Sequence, residues 1–150
     1  MKIKGLLLLT ACLLMACGRE SKEANWVDRV YSVAARHLSA QLKAIPEPTA
    51  YPRTIGKDGK LKVTRKRDWT EGFYPGCLWY MYEYTHKDEW KEAAIKWTEA
   101  LEPLKKLKSH HDIGFLMYCS FGNAYRLTGD EKYKDILVES ARSLCTRFND

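Results

Sequence analysis

Asp112-Ile113-Gly114-Phe115-Leu116-Met117-Tyr118-Cys119-Ser120-Phe121-Gly122-Asn123-Ala124-Tyr125-Arg126-Leu127-Thr128 carries no charge between its first residue and Arg126. At helical spacing this composition leaves no polar face, which predicts a helix covered by neighbours on every side. The segment after it reads differently. From Asp130 to Arg147, the residues Tyr133, Ile136, Leu137, Ala141 and Leu144 form one stripe among lysines and glutamates, the pattern of a helix with one face in water. Gly129 suits the C-terminal stop of the first helix, and Asp130 suits the N-cap of the second.

The same alternation occurs upstream. A helix from about Pro75 to Thr85 has little polar face, with Leu78, Trp79, Met81 and Tyr82 packed into it. The next, from about Asp88 to Glu102, is striped by Trp90, Ala93, Ala94, Trp97 and Leu101, and Pro103 ends or kinks it. A first amphipathic helix runs from Trp26 to Ile45 and stops at Pro46 and Pro48. Between Pro46 and Glu71, prolines, glycines and a basic run predict a long loop with a short extended piece at Leu61 to Thr64.

Shifting the chain by 43 positions lays Tyr82-Glu83-Tyr84-Thr85 over Tyr125-Arg126-Leu127-Thr128, Trp90-Lys91-Glu92 over Tyr133-Lys134-Asp135, Leu101 over Leu144, and Trp69 over Asp112. Tetratricopeptide arrays repeat over a shorter unit with a different small-residue pattern. The expectation is therefore an all-α chain of inner and outer helices, arranged as part of a closed α/α toroid. Trp69 and Asp112 would both open inner helices, at the same end and on neighbouring hairpins.

The first residues read as an export leader. Lys2 and Lys4 precede an uncharged, leucine-rich run from Gly5 to Ala16, too short to span a bilayer. Leu14-Met15-Ala16-Cys17 resembles a bacterial lipobox, so residues 1 to 16 are read as a lipoprotein signal peptide. Cys17 is the acylated residue, residues 17 to 25 form a tether, and the location is the cell envelope, periplasm or outer membrane. Cys77, Cys119 and Cys145 then remain, an odd number in apolar helical settings, expected as buried free thiols. The formal net charge is +6; without Lys2 and Lys4, 23 of the 25 basic residues remain against 19 acids, or +4. That excess suits an anionic substrate. Nucleic acid is not expected as a partner of an exported lipoprotein.

Asp112 sits between two histidines and an apolar helix. It serves either as a helix N-cap or as a carboxylate facing a partner or substrate. A tryptophan beside an acid is a common sugar-binding pair, the indole packing on the ring face while the acid accepts hydroxyl hydrogen bonds. His110, His111 and Asp112 are too close in sequence to converge on one metal ion, and no cofactor is called for.

Asp68-Trp69-Thr70-Glu71-Gly72-Phe73-Tyr74-Pro75-Gly76, Trp79, Tyr84-Thr85, His111-Asp112-Ile113-Gly114-Phe115, Ser120-Phe121-Gly122-Asn123-Ala124-Tyr125 and Leu127-Thr128-Gly129-Asp130 together resemble the unsaturated glucuronyl hydrolases of glycoside hydrolase family 88. Family 105, the unsaturated rhamnogalacturonyl hydrolases, has a similar toroid but matches the His-Asp-x-Gly-Phe segment less well. The resemblance implies an (α/α)6 barrel, a six-hairpin toroid. Residues 26 to 150, with about five helices, would be the N-terminal portion of its catalytic domain and the chain a fragment. It implies a glycosidase acting on unsaturated uronic-acid oligosaccharides left by polysaccharide lyases, by hydration of the C4=C5 double bond. The separation rule for paired glycosidase carboxylates does not transfer to that chemistry.

By the same resemblance Asp112 is one of two functional aspartates, Trp69 a substrate-stacking residue, and His111 a residue that orients Asp112, contacts substrate or stands at the rim. The second, proton-handling aspartate lies in a downstream segment outside this chain, so hydrolysis by the fragment alone is not expected. A helix N-terminus favours ionised Asp112, which suits an acceptor of substrate hydroxyls. The basic run from Lys57 to Arg67 would meet sulfate or carboxylate groups, or simply be solvated. The competing class is a non-catalytic helical-repeat lipoprotein that binds carbohydrate or protein.

Overall fold

In the computed structural model, residues 25–64 and 67–148 are described. The expected signal peptide, Cys17 and nearly all of the tether lie outside them. The chain divides into two compact units, one up to Ser39 and one from Ala40 onward. The first helix, α1, spans 25–44, matching the apolar periodicity, and ends before Pro46.

The loop expected from Pro46 to Glu71 holds a β-hairpin of two strands, β1 at Tyr51–Ile55 and β2 at Leu61–Thr64. The extended piece expected at Leu61 is thus real, and its partner is Tyr-Pro-Arg-Thr-Ile, whose proline and arginine hide it from a search for alternating apolar residues. Gly59 turns the hairpin at φ 73°, a left-handed conformation that glycine adopts without steric cost. Tyr51 anchors β1: its hydroxyl donates to the Trp97 carbonyl at 3.2 Å and its ring meets Trp97 edge-on at 5.1 Å.

A 3-10 turn, Trp69–Gly72, leads into α2, Phe73–Thr85, which reverses into α3, Asp88–Glu99. The third helix stops short of the expected Glu102, and Pro103 falls in a separate 3-10 turn, Glu102–Lys106. A proline lacks the N–H that the next helical bond needs and restricts the residue before it. The stripe of α3 buries Trp90, Ala94 and Trp97. Trp79 of α2 is fully buried against it, its indole N–H donating to the Thr98 hydroxyl at 2.9 Å.

The segment 113–128 runs as α4, Ile113–Met117, a π turn, Tyr118–Gly122, and α5, Asn123–Thr128. The π turn interrupts the uniform helix expected there. Side chains take up carbonyls at the widened turn: Ser120 Oγ donates to Leu116 O at 2.8 Å and Asn123 Nδ2 to Cys119 O at 2.9 Å. Gly129 ends this helix in the left-handed region, and Asp130 accepts from Lys132 N to start α6, Glu131–Cys145. Both termini are as the residue types predict.

The offset of 43 residues is a packing rule of this fold. A Cβ on Gly72 would meet Phe115 O at 2.5 Å, and one on Gly76 would meet Cys119 O at 2.8 Å. Arg126 holds Glu83, again 43 residues away. Equivalent residues of α2 and 113–128 therefore lie side by side in register, so the two inner helices run parallel. Their ends match as well. Thr85 bonds back to Met81 O and Thr128 to Ala124 O, and left-handed His86 and Gly129 close the two helices. Parallel inner helices joined by antiparallel outer ones are the architecture of an α/α barrel.

Two expectations need correction. Tyr80, Phe115 and Tyr118 are exposed, so the inner helices are not covered on every side. Cys77 and Cys145 are exposed and Cys119 is half-buried; all three are free thiols, but they are not buried as their apolar neighbours had implied.

Candidate functional site

The parallel register sets the start of α2 beside the start of α4, so residues opening the two helices meet at one end. Gly72 allows it. Its Cα lies where any side chain would collide with the Leu116 carbonyl, a built Cβ falling 2.2 Å from that oxygen, so the backbones approach at the very turn that carries Trp69.

Three rings converge there from three elements. Trp69 of the 3-10 turn stands 5.7 Å from Phe73 of α2 and 5.6 Å from Phe115 of α4, and the two phenylalanines are 5.9 Å apart. Each ring remains exposed, Trp69 by 38%. An exposed aromatic cluster is costly in water and marks a surface for a ligand or a further protein segment.

Asp112 lies one helical turn before Phe115, whose N–H bonds to the Asp112 carbonyl at 3.0 Å. Asp112 occupies the N-cap position of α4, but its carboxylate makes no capping hydrogen bond. Its side chain is 29% exposed and its described ionic neighbour is His111, with Nε2 at 3.5 Å. His111 itself is 82% exposed, a rim position. The carboxylate therefore keeps lone pairs for hydroxyl donors.

Asp68 shapes the other side of the cluster. Its Oδ1 accepts from Thr70 N at 2.9 Å and Thr70 Oγ1 at 2.6 Å, fixing the turn that carries Trp69. Burial pushes the Asp68 carboxyl up, but the Thr70 hydrogen bonds and the Arg53 charge outweigh this and hold it below the ordinary range. Arg53 Nε lies 3.9 Å from Asp68 Oδ2, and the guanidinium sits 5.9 Å from the Trp69 ring centre. Both His110 ring nitrogens are buried without a hydrogen-bond partner among the described residues.

Glu71, two residues after Trp69, is a buried structural tie. It accepts from Thr64 Oγ1 at 3.2 Å and Arg67 N at 3.1 Å, fastening the hairpin to the 3-10 turn. Burial pushes its carboxyl up against these bonds.

Trp69, His111 and Asp112 thus gather at one end of the inner helices. Sequence reasoning passed over Arg53, Asp68, His110 and the two phenylalanines as site candidates. Asp68-x-Thr70 carried a legible capping signal; Arg53 carried none, because its placement depends on how the hairpin docks. Among the described residues no three His, Cys, Asp or Glu side chains gather as a metal site would require.

No protein-family model matches the chain. Individual proteins do. It is 35% identical over 135 residues to an unsaturated glucuronyl hydrolase of Formosa agariphila, covering 88% of this chain and 34% of that one. A solved unsaturated glucuronyl hydrolase specific for heparin superimposes with a TM-score of 0.78 at 38% identity, covering 84% of this chain and 34% of the other. A substituted form of the Streptococcus agalactiae unsaturated glucuronyl hydrolase, complexed with dGlcA-GalNAc6S, gives a TM-score of 0.71 at 29% identity over 81% of this chain and 33% of that one. The chain spans about a third of the length of these relatives.

Proposed function

By sequence and by fold the chain belongs to the unsaturated glucuronyl hydrolases of glycoside hydrolase family 88 over the third of their length that it spans, and from that premise we propose that it forms one wall of a site for an unsaturated glucuronic acid. The sugar is the non-reducing end of a lyase-generated, glycosaminoglycan-type oligosaccharide. Trp69 supplies the apolar platform for the ring, and Asp112 accepts its hydroxyls and fixes its orientation. His111, in contact with Asp112, holds that carboxylate at the rim. The reaction is hydration of the C4=C5 double bond. Proton transfer belongs to a second aspartate outside the residues of this chain, so these residues alone bind the sugar without turning it over.

The observation that carries this reading is the uncapped, part-open carboxylate of Asp112 one turn from a ring packed on Trp69. Titrating the full chain with an unsaturated chondroitin disaccharide, followed by indole fluorescence, tests it. Saturable binding is expected, weakened about tenfold by Trp69→Ala and by Asp112→Asn, each tenfold being about 1.4 kcal/mol. The ultraviolet absorbance of the C4=C5 bond stays constant on incubation. Absence of saturable binding, or an Asp112→Asn variant that binds as well as wild type, overturns the proposal.

We further propose that the chain is exported and lipid-anchored through Cys17. The basic and apolar pattern before that cysteine supports this. Cys17→Ser should move the protein from the membrane to the soluble fraction; unchanged fractionation rejects the anchor.

A further inference from the structure

The strand register places Arg53 in an unusual position. Pro52 pairs with Val63 and Thr54 with Lys62, so two steps along β1 match one step along β2 and Arg53 is the extra residue of a β-bulge. Bulges re-aim side chains and are common beside active sites. Here the bulged residue is aimed at the turn that carries Trp69, and Pro52, which has no N–H to give the ladder, precedes it.

The guanidinium at the end of that side chain is only partly engaged. Its ion-pair partner among the described residues is Asp68, through Nε at 3.9 Å, and the arginine side chain remains 44% exposed. Asp68 directs its other oxygen into the turn. Arg53 stands 5.9 Å from the Trp69 ring centre, near the limit of cation-π range, so it borders the indole and leaves it partly open. A planar, permanently charged fork at the margin of an exposed indole matches an anionic group on a ring resting against that indole.

We infer that Arg53, turned by the bulge, is the anion-recognising residue of this wall and binds a carboxylate or sulfate of the sugar that rests on Trp69. The inference rests on the functional reading above. The carboxylate of the unsaturated uronic acid and a sulfate on the adjoining sugar present the same chemistry to an arginine, and the choice of ligand separates them.

The test titrates the full chain with three probes: an unsulfated unsaturated chondroitin disaccharide, its carboxyl-reduced form, and a 6-sulfated disaccharide. If Arg53 reads the carboxylate, Arg53→Ala weakens the unsulfated and sulfated acids about tenfold and leaves the carboxyl-reduced sugar unchanged. If it reads the sulfate, the loss is confined to the sulfated probe. In either case Arg53→Lys recovers part of the binding, since it keeps the charge and loses the fork. A merely structural role would weaken all three probes equally, and that result overturns the inference, as does no loss for any of them. Should Trp69→Ala weaken binding while Arg53→Ala does not, only the arginine assignment falls. Should wild type bind none of the probes, the reading of the whole wall falls with it.

Discussion

Glu83 and Arg126 occupy equivalent places in consecutive inner helices, 43 residues apart, and each holds the other: Nη1 donates to Oε1 at 2.5 Å and Nη2 to Oε2 at 2.7 Å. The pair is a bidentate clasp, and its hydrogen bonds hold the Glu83 carboxyl below the ordinary range. Both side chains are more than a third exposed, Arg126 at 47% and Glu83 at 41%, so solvent screens the interaction. Arg126→Ala is expected to cost less than about 1 kcal/mol at neutral pH. A depressed carboxyl contributes stability that is present above the usual glutamate value of 4.5 and lost as pH falls through its lower folded value. Thermal melts of wild type and variant should converge as the solution is acidified below 4.5; a gap that stays constant or widens refutes this role.

A larger effect is expected where the inner helices touch without side chains. Gly72 has an ordinary φ of −67°, so its requirement is space and not conformation. Gly72→Ala places a methyl 2.2 Å from the Leu116 carbonyl oxygen, backbone that cannot turn aside. Overpacking of this kind costs about 3 kcal/mol. Gly114→Ala is the control, because its added carbon meets nothing within 4 Å. Chemical denaturation of both variants gives the comparison, and equal midpoints would show that the helices do not approach this closely.

Two tyrosines on Trp97 should respond to the same substitution with opposite sign. Tyr51 donates a hydrogen bond to the Trp97 carbonyl at 3.2 Å, and Tyr51→Phe is expected to cost about 1 kcal/mol. Tyr74 packs on the same indole at 4.7 Å, yet its buried hydroxyl has no partner among the described residues. Tyr74→Phe removes that unsatisfied group and keeps the ring, so the melting temperature should stay level or rise. A loss at Tyr74 as large as that at Tyr51 would contradict the arrangement.

The helices and their order were legible because their signals are local. The charge-free run after Asp112, the stripe of Trp90, Ala94 and Trp97, and the Gly129-Asp130 boundary each report on their own neighbourhood, and the sparse 43-residue repeat carried the register between them. The π turn at Tyr118–Gly122 was not legible, since it depends on which carbonyls Ser120 and Asn123 take up. Strand β1 was hidden for another reason. Its proline and arginine break the apolar alternation, and what holds it is Tyr51 against Trp97, 46 residues away. Arg53 therefore had no site signal in the sequence, whereas Trp69 and Asp112 did through the repeat and the family motifs. Cys77 and Cys145 were misread as buried because apolar neighbours in sequence do not fix which face of a helix is open.

Glu71 gives the hairpin a pH dependence opposite in sign to that of Glu83. Its carboxylate is buried, and desolvation raises its affinity for a proton despite hydrogen bonds from Arg67 N and Thr64 Oγ1. The folded chain thus binds more protons than the unfolded chain above the usual glutamate value of 4.5. The contribution of Glu71 to stability is complete below that value and declines as pH rises toward the folded one. Glu71→Gln cannot ionise, so this decline disappears, while the amide keeps both hydrogen bonds, its oxygen accepting from Arg67 N and its nitrogen donating to the Thr64 hydroxyl, which accepts as readily as it donates. Melting curves from pH 4.5 upward should therefore fall more steeply for wild type than for Glu71→Gln, the two separating as pH rises. Parallel curves across that range would mean that the carboxylate is ionised in the folded chain as readily as in the unfolded one, and that burial between hairpin and turn costs it nothing.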